Sequence, residues 1–444
     1  MTHAHPDPTH EPDQSAPIHA ASGMPLAASS PIVTWAPPRS DSTLIADATT
    51  LFTTTFGGEP DGVWAAPGRV NVIGDHVDYA GGVSIPFALP HLTAVAARRR
   101  ADDVVTIVSV PPNTTTLHAS VSLSDVRPGY PTGWSGYVTG TLWARLQDPS
   151  RHRENAYAGH GLDLAIISDV PLGSGLSSSA ALECSVALAA QELSTHDPLS
   201  GADYHRLIHA AIRAENDIVG ASTGGLDQRS SLLATAGHAL VIDFRTTTVN
   251  QVACDVESDG LAFLVADTNA PHSLSDGQYA SRRGVIDAVT AHGGATTLLD
   301  LDDAIATATS WAHTADAPVL PDIARARVTH VLEETERTKR VHQALNAKKW
   351  DECGLLMSES HNSLRDLYDV STPELDSARD AALDAGALGA RMTGGGFGGS
   401  IIALVPADTV TEIAHKIHQR AVDNNMPTPT FLAVTPASGA RRLA

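Results

Sequence analysis

Pro171-Leu-Gly-Ser-Gly-Leu-Ser-Ser-Ser-Ala-Ala181 lies between an apolar segment, Leu162 to Val170, and a segment rich in alanine and leucine, Ala180 to Leu193. The apolar segment fits a buried strand, and the second segment lacks glycine and proline, which favours a helix. The two glycines would let the loop backbone approach a ligand closely, and the three serines would cap the helix. Because a helix N-terminus presents free amide groups and the positive end of its dipole, we predict a phosphate site in this loop.

The same residues permit other interpretations of this loop. A glycine turn with a serine cap is the simplest alternative, but strand, glycines, hydroxyls and helix occurring in sequence favour the phosphate site. A Walker loop requires a lysine after its glycines, and none lies near. A dinucleotide-binding fingerprint requires a third glycine, where this chain has Ser178.

Composition limits the class of protein. The chain has 444 residues, enough for two domains, and 42% of them are hydrophobic, which supports a folded core. The formal charge of −21 argues against non-specific binding to nucleic acid or acidic membranes, both of which need a basic surface. Three widely spaced cysteines fit a reduced protein without a disulfide framework. Since neither a membrane-spanning run nor a secretory signal is recognisable, we expect a cytoplasmic protein.

The chain divides into three predicted parts. Residues 1–40 are rich in Pro, His, Ser and Ala and are predicted to be a disordered tail. Residues 41–247 are predicted to form an N-terminal domain, and residues 248–444 a C-terminal domain. Periodicity and composition predict helices at Ser42 to Phe56, Trp134 to Leu146, Asp203 to Val219 and Trp350 to Leu367, and strands at Val104 to Val110, Leu261 to Asp267 and Thr430 to Val434.

A cluster of polar residues follows a short predicted strand, Arg69 to Ile73. Asp75, His76 and Asp78 stand close together after Gly74, which is unusual for residues of a core. They would form a hydrogen-bonding surface for a polyol, with carboxylates accepting the protons of hydroxyl groups. The alternative is a turn in which Asp and Gly serve local geometry.

Two further features have both a functional and a structural interpretation. Asp227 ends a glycine-rich turn, where it would act as a catalytic base or cap the following segment. The run Thr393 to Gly399 has five glycines in seven residues, which permits backbone conformations closed to other residues. It is interpreted as a hinge, a loose hairpin, or a second loop that closes over phosphates.

Three separated motifs resemble those of one enzyme family. Gly68-Arg-Val-Asn-Val-Ile-Gly-Asp-His-Val-Asp-Tyr79 resembles the galactokinase signature, and Pro171 to Ala181 resembles the ATP-binding motif of the wider GHMP kinase family. Arg391 to Gly399 is similar to the third motif of that family in its galactokinase form, and Ser360 to Leu364 also matches. The resemblance covers the chain from about Phe52 to its end. It identifies the chain as a member of the galactokinase family.

The resemblance implies an α+β, two-domain GHMP-kinase fold with the active site in the inter-domain cleft. It also implies transfer of the γ-phosphoryl group of ATP, as its Mg²⁺ complex, to the anomeric hydroxyl of D-galactose. Carried over by position, the site comprises Asp227 as catalytic base aided by Arg69; Asp75, His76, Asp78 and Tyr279 as sugar ligands; Gly173, Ser174, Gly175, Leu176, Ser177, Ser178, Ser179 and Ala180 as the ATP-binding loop; and Ser179 and Glu215 as metal ligands. The expected partners are galactose and MgATP, with no nucleic acid or membrane, and the expected state is a monomer.

The chain departs from the family pattern at Asp75, where the signature usually has Glu. The Asp side chain is one methylene group shorter than Glu, so it reaches less far toward the sugar. This leaves open a kinase of the same fold for another sugar, such as N-acetylgalactosamine or arabinose. A non-catalytic galactose sensor is the second alternative, although the chain retains the serines of the loop together with Asp227 and Arg69.

Overall fold

The strands form two sheets in the computed structural model, which describes residues 33–112, 114–147, 160–194, 199–221, 223–270, 277–315 and 317–444. In chain order the strands are β1 (Thr34–Trp35), β2 (Gly62–Ile73), β3 (Val83–Arg99), β4 (Val104–Val110), β5 (Leu117–Ser122), β6 (Leu162–Ser168), β7 (His238–Asp243), β8 (Thr248–Ala253), β9 (Leu261–Asp267), β10 (Gly389–Thr393), β11 (Ser400–Pro406), β12 (Thr430–Val434) and β13 (Arg441–Arg442). The helices are α1 (Asp41–Phe56), α2 (Trp134–Leu146), α3 (Ser178–Glu192), α4 (Gly201–Arg213), α5 (Leu226–Leu233), α6 (Gln278–His292), α7 (Ala304–Ala312), α8 (Pro321–Asn346), α9 (Trp350–Ser363), α10 (Pro373–Asp384) and α11 (Val410–Asp423).

The larger sheet has the strand order β13-β2-β3-β6-β4-β5. In addition, β7 pairs with the first residues of β3, and β8 pairs with β7. Its central strands β2, β3 and β6 are buried on both faces. In β6, Leu162, Leu164 and Ile166 pack in the core that includes α2, α3 and α4, whereas Ala165 and Ile167 pack with α1. This two-sided burial explains why the segment before the glycine loop reads as a continuous apolar run.

The smaller sheet has the order β1-β12-β9-β11-β10, and most of it comes from the second half of the chain. One core, which includes Ile286, Val328 and Ile413, lies between this sheet and helices that follow β9. A second core joins the other side of the sheet to residues of β2 and β3, including Phe87, which stacks on Phe263 at 5.1 Å. The two sheets therefore share buried apolar contacts.

Most elements predicted from periodicity are confirmed, and α2, β4, β9 and β12 have the predicted bounds. Two predicted helices end early, because the segments Ala214–Val219 and Leu364–Tyr368 continue α4 and α9 as π-helical turns. Six elements were not predicted: α5, α7, β1, β5, β8 and β13. β8 pairs only with β7 and is largely exposed, so its polar sequence gives little strand signal.

The predicted tail is longer than the structure supports. Residues 1–32 lie outside the described residues, but Thr34–Trp35 forms β1 and pairs in parallel with β12. Arg39 donates from its backbone N and its Nε to the two carboxylate oxygens of Asp169, at 2.8 and 2.6 Å. Residues 33–40 are thus ordered by contacts with distant parts of the chain, which local composition does not reveal.

The predicted α+β class is confirmed by the two sheets and the helices packed on them, whereas the boundary between residues 247 and 248 stays a prediction. That boundary falls at the turn of the antiparallel hairpin formed by β7 and β8. Among the described residues, no helix is both long and apolar enough to cross a bilayer.

Two helical glycines give a matched test of packing. A Cβ at Gly354 of α9 would lie 2.3 Å from the Leu388 carbonyl oxygen, while a Cβ at Gly284 of α6 would meet nothing within 4 Å. We expect Gly354→Ala to destabilise the protein by about 1–3 kcal/mol through overpacking. Gly284→Ala should instead stabilise it by about 0.5–1 kcal/mol, because alanine favours a helix. Urea unfolding measures both, and equal effects of the two substitutions would contradict the close approach of α9 to β10.

Candidate active site

Arg69 lies in β2 where the strand passes behind the glycine loop. Its side chain donates from Nε to Asp227 Oδ1 at 2.8 Å and from Nη1 to the Gly175 carbonyl at 2.5 Å. A Cβ on the preceding Gly68 would lie 2.6 Å from the Leu176 carbonyl oxygen, so only glycine fits there. The close contact of strand and loop brings Arg69 to both the loop and Asp227.

Asp227 is the second residue of α5, which follows Gly225 in a left-handed conformation. Its Oδ1 accepts from Arg69, and its Oδ2 accepts a hydrogen bond from Ser177 Oγ at 2.6 Å. The N-cap of α5 is Gly225, and Asp227 lies inside the first turn, so the capping interpretation is not supported. A carboxylate held by a cation on one oxygen and by the predicted phosphate loop on the other is arranged for chemistry.

The predicted cap of α3 is wrong. Ser177 occupies the N-cap position with φ 60°, and its hydroxyl turns to Asp227 and makes no cap hydrogen bond to the helix. The first amides of α3 therefore have no side-chain cap among the described residues. Such uncapped amides at the positive end of a helix dipole suit a phosphate.

The other residues of the predicted ATP-binding loop line the same turn. Gly173 and Gly175 have positive φ angles of 69° and 75°, which glycine adopts without strain. Leu176 and Ala180 are buried and anchor the loop, and the buried Ser174 donates to the Pro171 carbonyl at 2.9 Å. Ser178 and Ser179 form the first turn of α3.

The glycine run after β10 packs on this loop. A Cβ at Gly394 would lie 2.7 Å from the Gly175 carbonyl oxygen, and one at Gly399 would lie 2.9 Å from the Ser174 carbonyl oxygen. Ser400 Oγ donates to the same Ser174 carbonyl at 2.8 Å. This backbone-to-backbone contact supports the interpretation as a second loop beside the phosphate loop.

A group of buried carboxylates stands behind Asp227. Ser179 Oγ donates to Glu215 Oε1 at 3.3 Å, and Gln228 Nε2 bridges Glu215 Oε2 at 2.7 Å and Glu183 Oε2 at 3.0 Å. Burial, and then the charge of Asp227, raise the pKa of Glu215 to about 7. Burial and the nearby Glu215 also raise the pKa of Glu183.

No three Asp, Glu, His or Cys side chains of the described residues are grouped as metal ligands. The Ser179 hydroxyl and the Glu215 carboxylate fit a hard divalent cation such as Mg²⁺, which prefers oxygen ligands and usually takes several from water and substrate phosphates. Ser179 and Glu215, the predicted metal ligands, are adjacent as such a site requires. Glu183 was missed by the sequence analysis. The available signal was its position one helical turn after Ser179 on α3, where residues i and i+4 share a face.

Asp78 and Tyr279 approach Asp227 from the other side. Burial, and then the charge of Asp227, raise the pKa of Asp78 to about 6. Burial raises the pKa of Tyr279, and Asp78 and Asp227 add to this effect. A Cβ on Gly224 would lie 2.2 Å from Asp78 Oδ2, so a side chain at this point of the turn would displace the Asp78 carboxylate.

His76 lies between aromatic rings and is held by both ring nitrogens. Burial lowers the pKa of His76 to about 3, so the ring is neutral. Its Nε2 lies 3.1 Å from the Gly395 carbonyl, which can only accept, and its Nδ1 lies 3.0 Å from Tyr79 Oη. Nε2 therefore carries the proton and Nδ1 accepts from Tyr79, whose hydroxyl in turn accepts from Tyr368 at 2.8 Å.

The structure thus brings the predicted residues into one region, but it places Asp75 differently from the others. Asp75 is buried, and both its carboxylate oxygens bind protein groups: Arg391 Nη2 at 2.6 Å and the Gly394 amide at 3.2 Å. Arg391 is the first residue of the third motif, and its partner Asp75 lies 316 residues away in the sequence. A local sequence pattern therefore could not predict this ion pair.

Three family models match the chain. They are described as the galactokinase galactose-binding signature, at residues 50–99, the N-terminal domain of GHMP kinases, at 137–235, and the C-terminal part of GHMP kinases, at 341–424. The first match contains Arg69 and the polar cluster, and the second contains the phosphate loop and Asp227.

Curated relatives match over nearly their whole length. The chain is 40% identical to a galactokinase of Streptomyces coelicolor over 392 residues, covering 88% of this chain and 97% of the relative. It is 35% identical to a galactokinase of Bos taurus over 408 residues, covering 90% of this chain and 97% of the relative.

Solved structures of two kinases are similar to this chain. A Lactococcus lactis galactokinase in complex with galactose has 27% identity and a TM-score of 0.76, covering 90% of this chain and all of that chain. A mevalonate kinase of Methanococcus jannaschii, at 17% identity, has a TM-score of 0.59 and covers 85% of this chain and 98% of that chain. The second likeness concerns the fold alone.

The raised pKa of Glu215 predicts a pH-dependent stability. The folded protein keeps a proton on Glu215 up to pH about 7, whereas an unfolded chain releases it near pH ~4.3. The resulting stabilisation is complete below the unfolded pKa and is lost as the pH rises through the folded one. We expect Glu215→Gln to reduce the fall in unfolding free energy between pH ~4.5 and ~7, by at most about 1.4 kcal/mol per pH unit.

Urea unfolding at a series of pH values, with EDTA and without nucleotide, measures this effect. The exposed Glu412 on α11 supplies the control variant, Glu412→Gln, which should keep the wild-type pH dependence. The same slope in wild type and Glu215→Gln would contradict the prediction.

Proposed function

This chain belongs to the galactokinase family of GHMP kinases, and on that basis we propose that it transfers the γ-phosphoryl group of ATP to the anomeric hydroxyl of D-galactose, giving galactose 1-phosphate and ADP. The observation that carries the proposal is the position of Asp227. One of its oxygens binds Arg69, the other binds Ser177 of the phosphate loop, and Asp78 approaches it from the polar cluster.

Phosphoryl transfer depends mainly on positioning and on stabilisation of charge. The amides at the start of α3 and the loop glycines bind the phosphates of ATP in this proposal. A divalent cation, proposed as Mg²⁺ on Ser179 and Glu215, would neutralise charge on the phosphate oxygens. The anomeric oxygen of the sugar attacks the γ-phosphorus, and ADP leaves.

Asp227 accepts the proton of the anomeric hydroxyl. The Arg69 guanidinium, 2.8 Å from Oδ1, fixes the orientation of the carboxylate and places a positive charge beside it. Oδ2 is the oxygen turned toward the phosphate loop, since it accepts from Ser177. A positioned general base of this kind contributes roughly 10²–10⁴-fold to the rate.

The sugar binds beside Asp227, against Asp78, His76 and Tyr279. The ring of Tyr279 lies 5.2 Å from that of His76, which gives an apolar surface next to polar groups. Both nitrogens of the neutral His76 ring are bonded within the protein, so His76 would meet the sugar with its ring and would position Tyr79 beside it.

Two further attributes concern the location and the oligomeric state of the protein. We place the enzyme in the cytoplasm, in keeping with its ATP substrate and with the three buried thiols of Cys184, Cys254 and Cys353. The monomeric state stays a prediction.

Asp227→Asn tests the proposed base. The amide keeps the shape of the side chain but cannot accept the proton, so we expect turnover to fall by roughly 10²-fold or more while galactose still binds. Release of ADP measures turnover, and isothermal titration measures binding. The half-exposed Asp217, paired with Arg213 on the surface, provides the control Asp217→Asn, which should keep full activity. Near-normal turnover in Asp227→Asn would refute the base assignment.

A substrate panel tests the sugar. ADP release from MgATP is measured with hexoses, pentoses and N-acetylhexosamines, and we expect strong activity on galactose with little on glucose. Activity confined to another sugar would keep the mechanism and move the substrate to N-acetylgalactosamine, arabinose or a relative. Binding of galactose and ATP without turnover on any sugar would favour the sensor.

A further inference from the structure

Asp75 stands in the polar cluster, but it is nearly fully buried and both of its carboxylate oxygens accept hydrogen bonds from the protein. Only 5% of the residue is exposed. Oδ2 accepts from Arg391 Nη2 at 2.6 Å, and Oδ1 accepts from the Gly394 amide at 3.2 Å. Binding a sugar hydroxyl through these oxygens would compete with a buried guanidinium and a buried amide.

Arg391 anchors the carboxylate from inside the protein. Arg391 is fully buried, so its positive charge must be balanced by nearby carboxylates. Asp75 is bonded to it, and Glu334 Oε1 lies 4.0 Å away. Glu334 also accepts from the Gly74 amide at 3.0 Å and from Ser360 Oγ at 2.5 Å. The ionic group therefore joins the end of β2 to β10, α8 and α9.

Gly394 and Gly395 are contacted from two sides. On the sugar side, the Gly394 amide binds Asp75 and the Gly395 carbonyl lies 3.1 Å from His76 Nε2. On the phosphate side, a Cβ at Gly394 would lie 2.7 Å from the Gly175 carbonyl oxygen. Because the backbones are this close, a displacement of Gly394 must displace Gly175 or open a gap.

We propose that Asp75 is a positioning residue which, through Arg391 and Gly394, holds the glycine run against the phosphate loop and so couples the sugar region to the nucleotide site. This inference rests on the proposed function for the identity of the two ligands. Asp75 then sets the shape of the loop that receives ATP, and Asp78 is left as the carboxylate of the cluster that meets the sugar.

The first experiment measures nucleotide affinity without sugar. Isothermal titration with the Mg²⁺ complex of a non-hydrolysable ATP analogue compares wild type, Asp75→Asn and Asp78→Asn. We expect Asp75→Asn to weaken nucleotide binding about fivefold or more, while Asp78→Asn does not weaken it. A residue that only binds sugar would leave nucleotide affinity unchanged, so an unchanged value for Asp75→Asn overturns the proposal.

The second experiment uses galactose and its 2-, 4- and 6-deoxy forms. If Asp75 touches no hydroxyl, Asp75→Asn weakens the binding of all four sugars by the same factor. The loss in Asp78→Asn should shrink for the deoxy sugar that lacks its partner hydroxyl, which shows that the assay detects direct contacts. A loss in Asp75→Asn that shrinks about tenfold for one deoxy sugar would make Asp75 a sugar ligand.

A further variant guards against misfolding. Asp75→Asn leaves Arg391 without its closest anion, so the double variant Asp75→Asn, Arg391→Gln removes both charges of the pair. We expect it to be folded by circular dichroism and still to bind nucleotide about fivefold more weakly. Wild-type nucleotide affinity in the folded double variant would contradict the proposal. Failure of wild type to bind galactose would instead refute the proposed substrate, since the nucleotide measurement needs no sugar.

Discussion

The site depends on the contact of one guanidinium with a carboxylate and a loop. Arg69 reaches Asp227 with Nε and the Gly175 carbonyl with Nη1, so a single rigid group fixes the distance between the proposed base and the phosphate loop. The planar fork of arginine suits such a double task better than the point charge of lysine. Ser177 closes the arrangement from the loop side by donating to the other oxygen of Asp227. The proposed base is therefore oriented before any substrate binds.

The glycines of the two loops let the loop backbones pack closely against each other, as well as letting them approach a ligand. Gly394 and Gly399 lie against the carbonyls of Gly175 and Ser174, where any Cβ would enter the neighbouring backbone. The phosphate loop is thus backed by a second stretch of main chain, and side chains from Asp75 and His76 hold that stretch in turn. The two loops are therefore held in place mainly by contacts between their backbones, and few flexible side chains lie between them.

Sequence patterns predicted the elements and motifs well and the partnerships poorly. The phosphate loop and Asp227 were recognisable because each lies in a short local motif, and α2 was recognisable because its periodicity is local. The hydroxyl of Ser177 was assigned to the helix, since serine before a helix is an ordinary cap, but the left-handed backbone there turns it to Asp227. The pairing of Asp75 with Arg391 and the bridging of Glu183 by Gln228 join residues far apart in sequence. Only the folded chain reveals such pairs.

The ordered segment ahead of α1 has a mechanical consequence. Trp35 belongs to the smaller sheet through its pairing with Phe431, whereas Arg39 is bonded to Asp169 at the end of β6 in the larger sheet. A chain of this length spans at most roughly 14 Å when fully extended. The segment is therefore a tether of fixed reach, and the two sheets separate no farther than it allows unless one anchor is released.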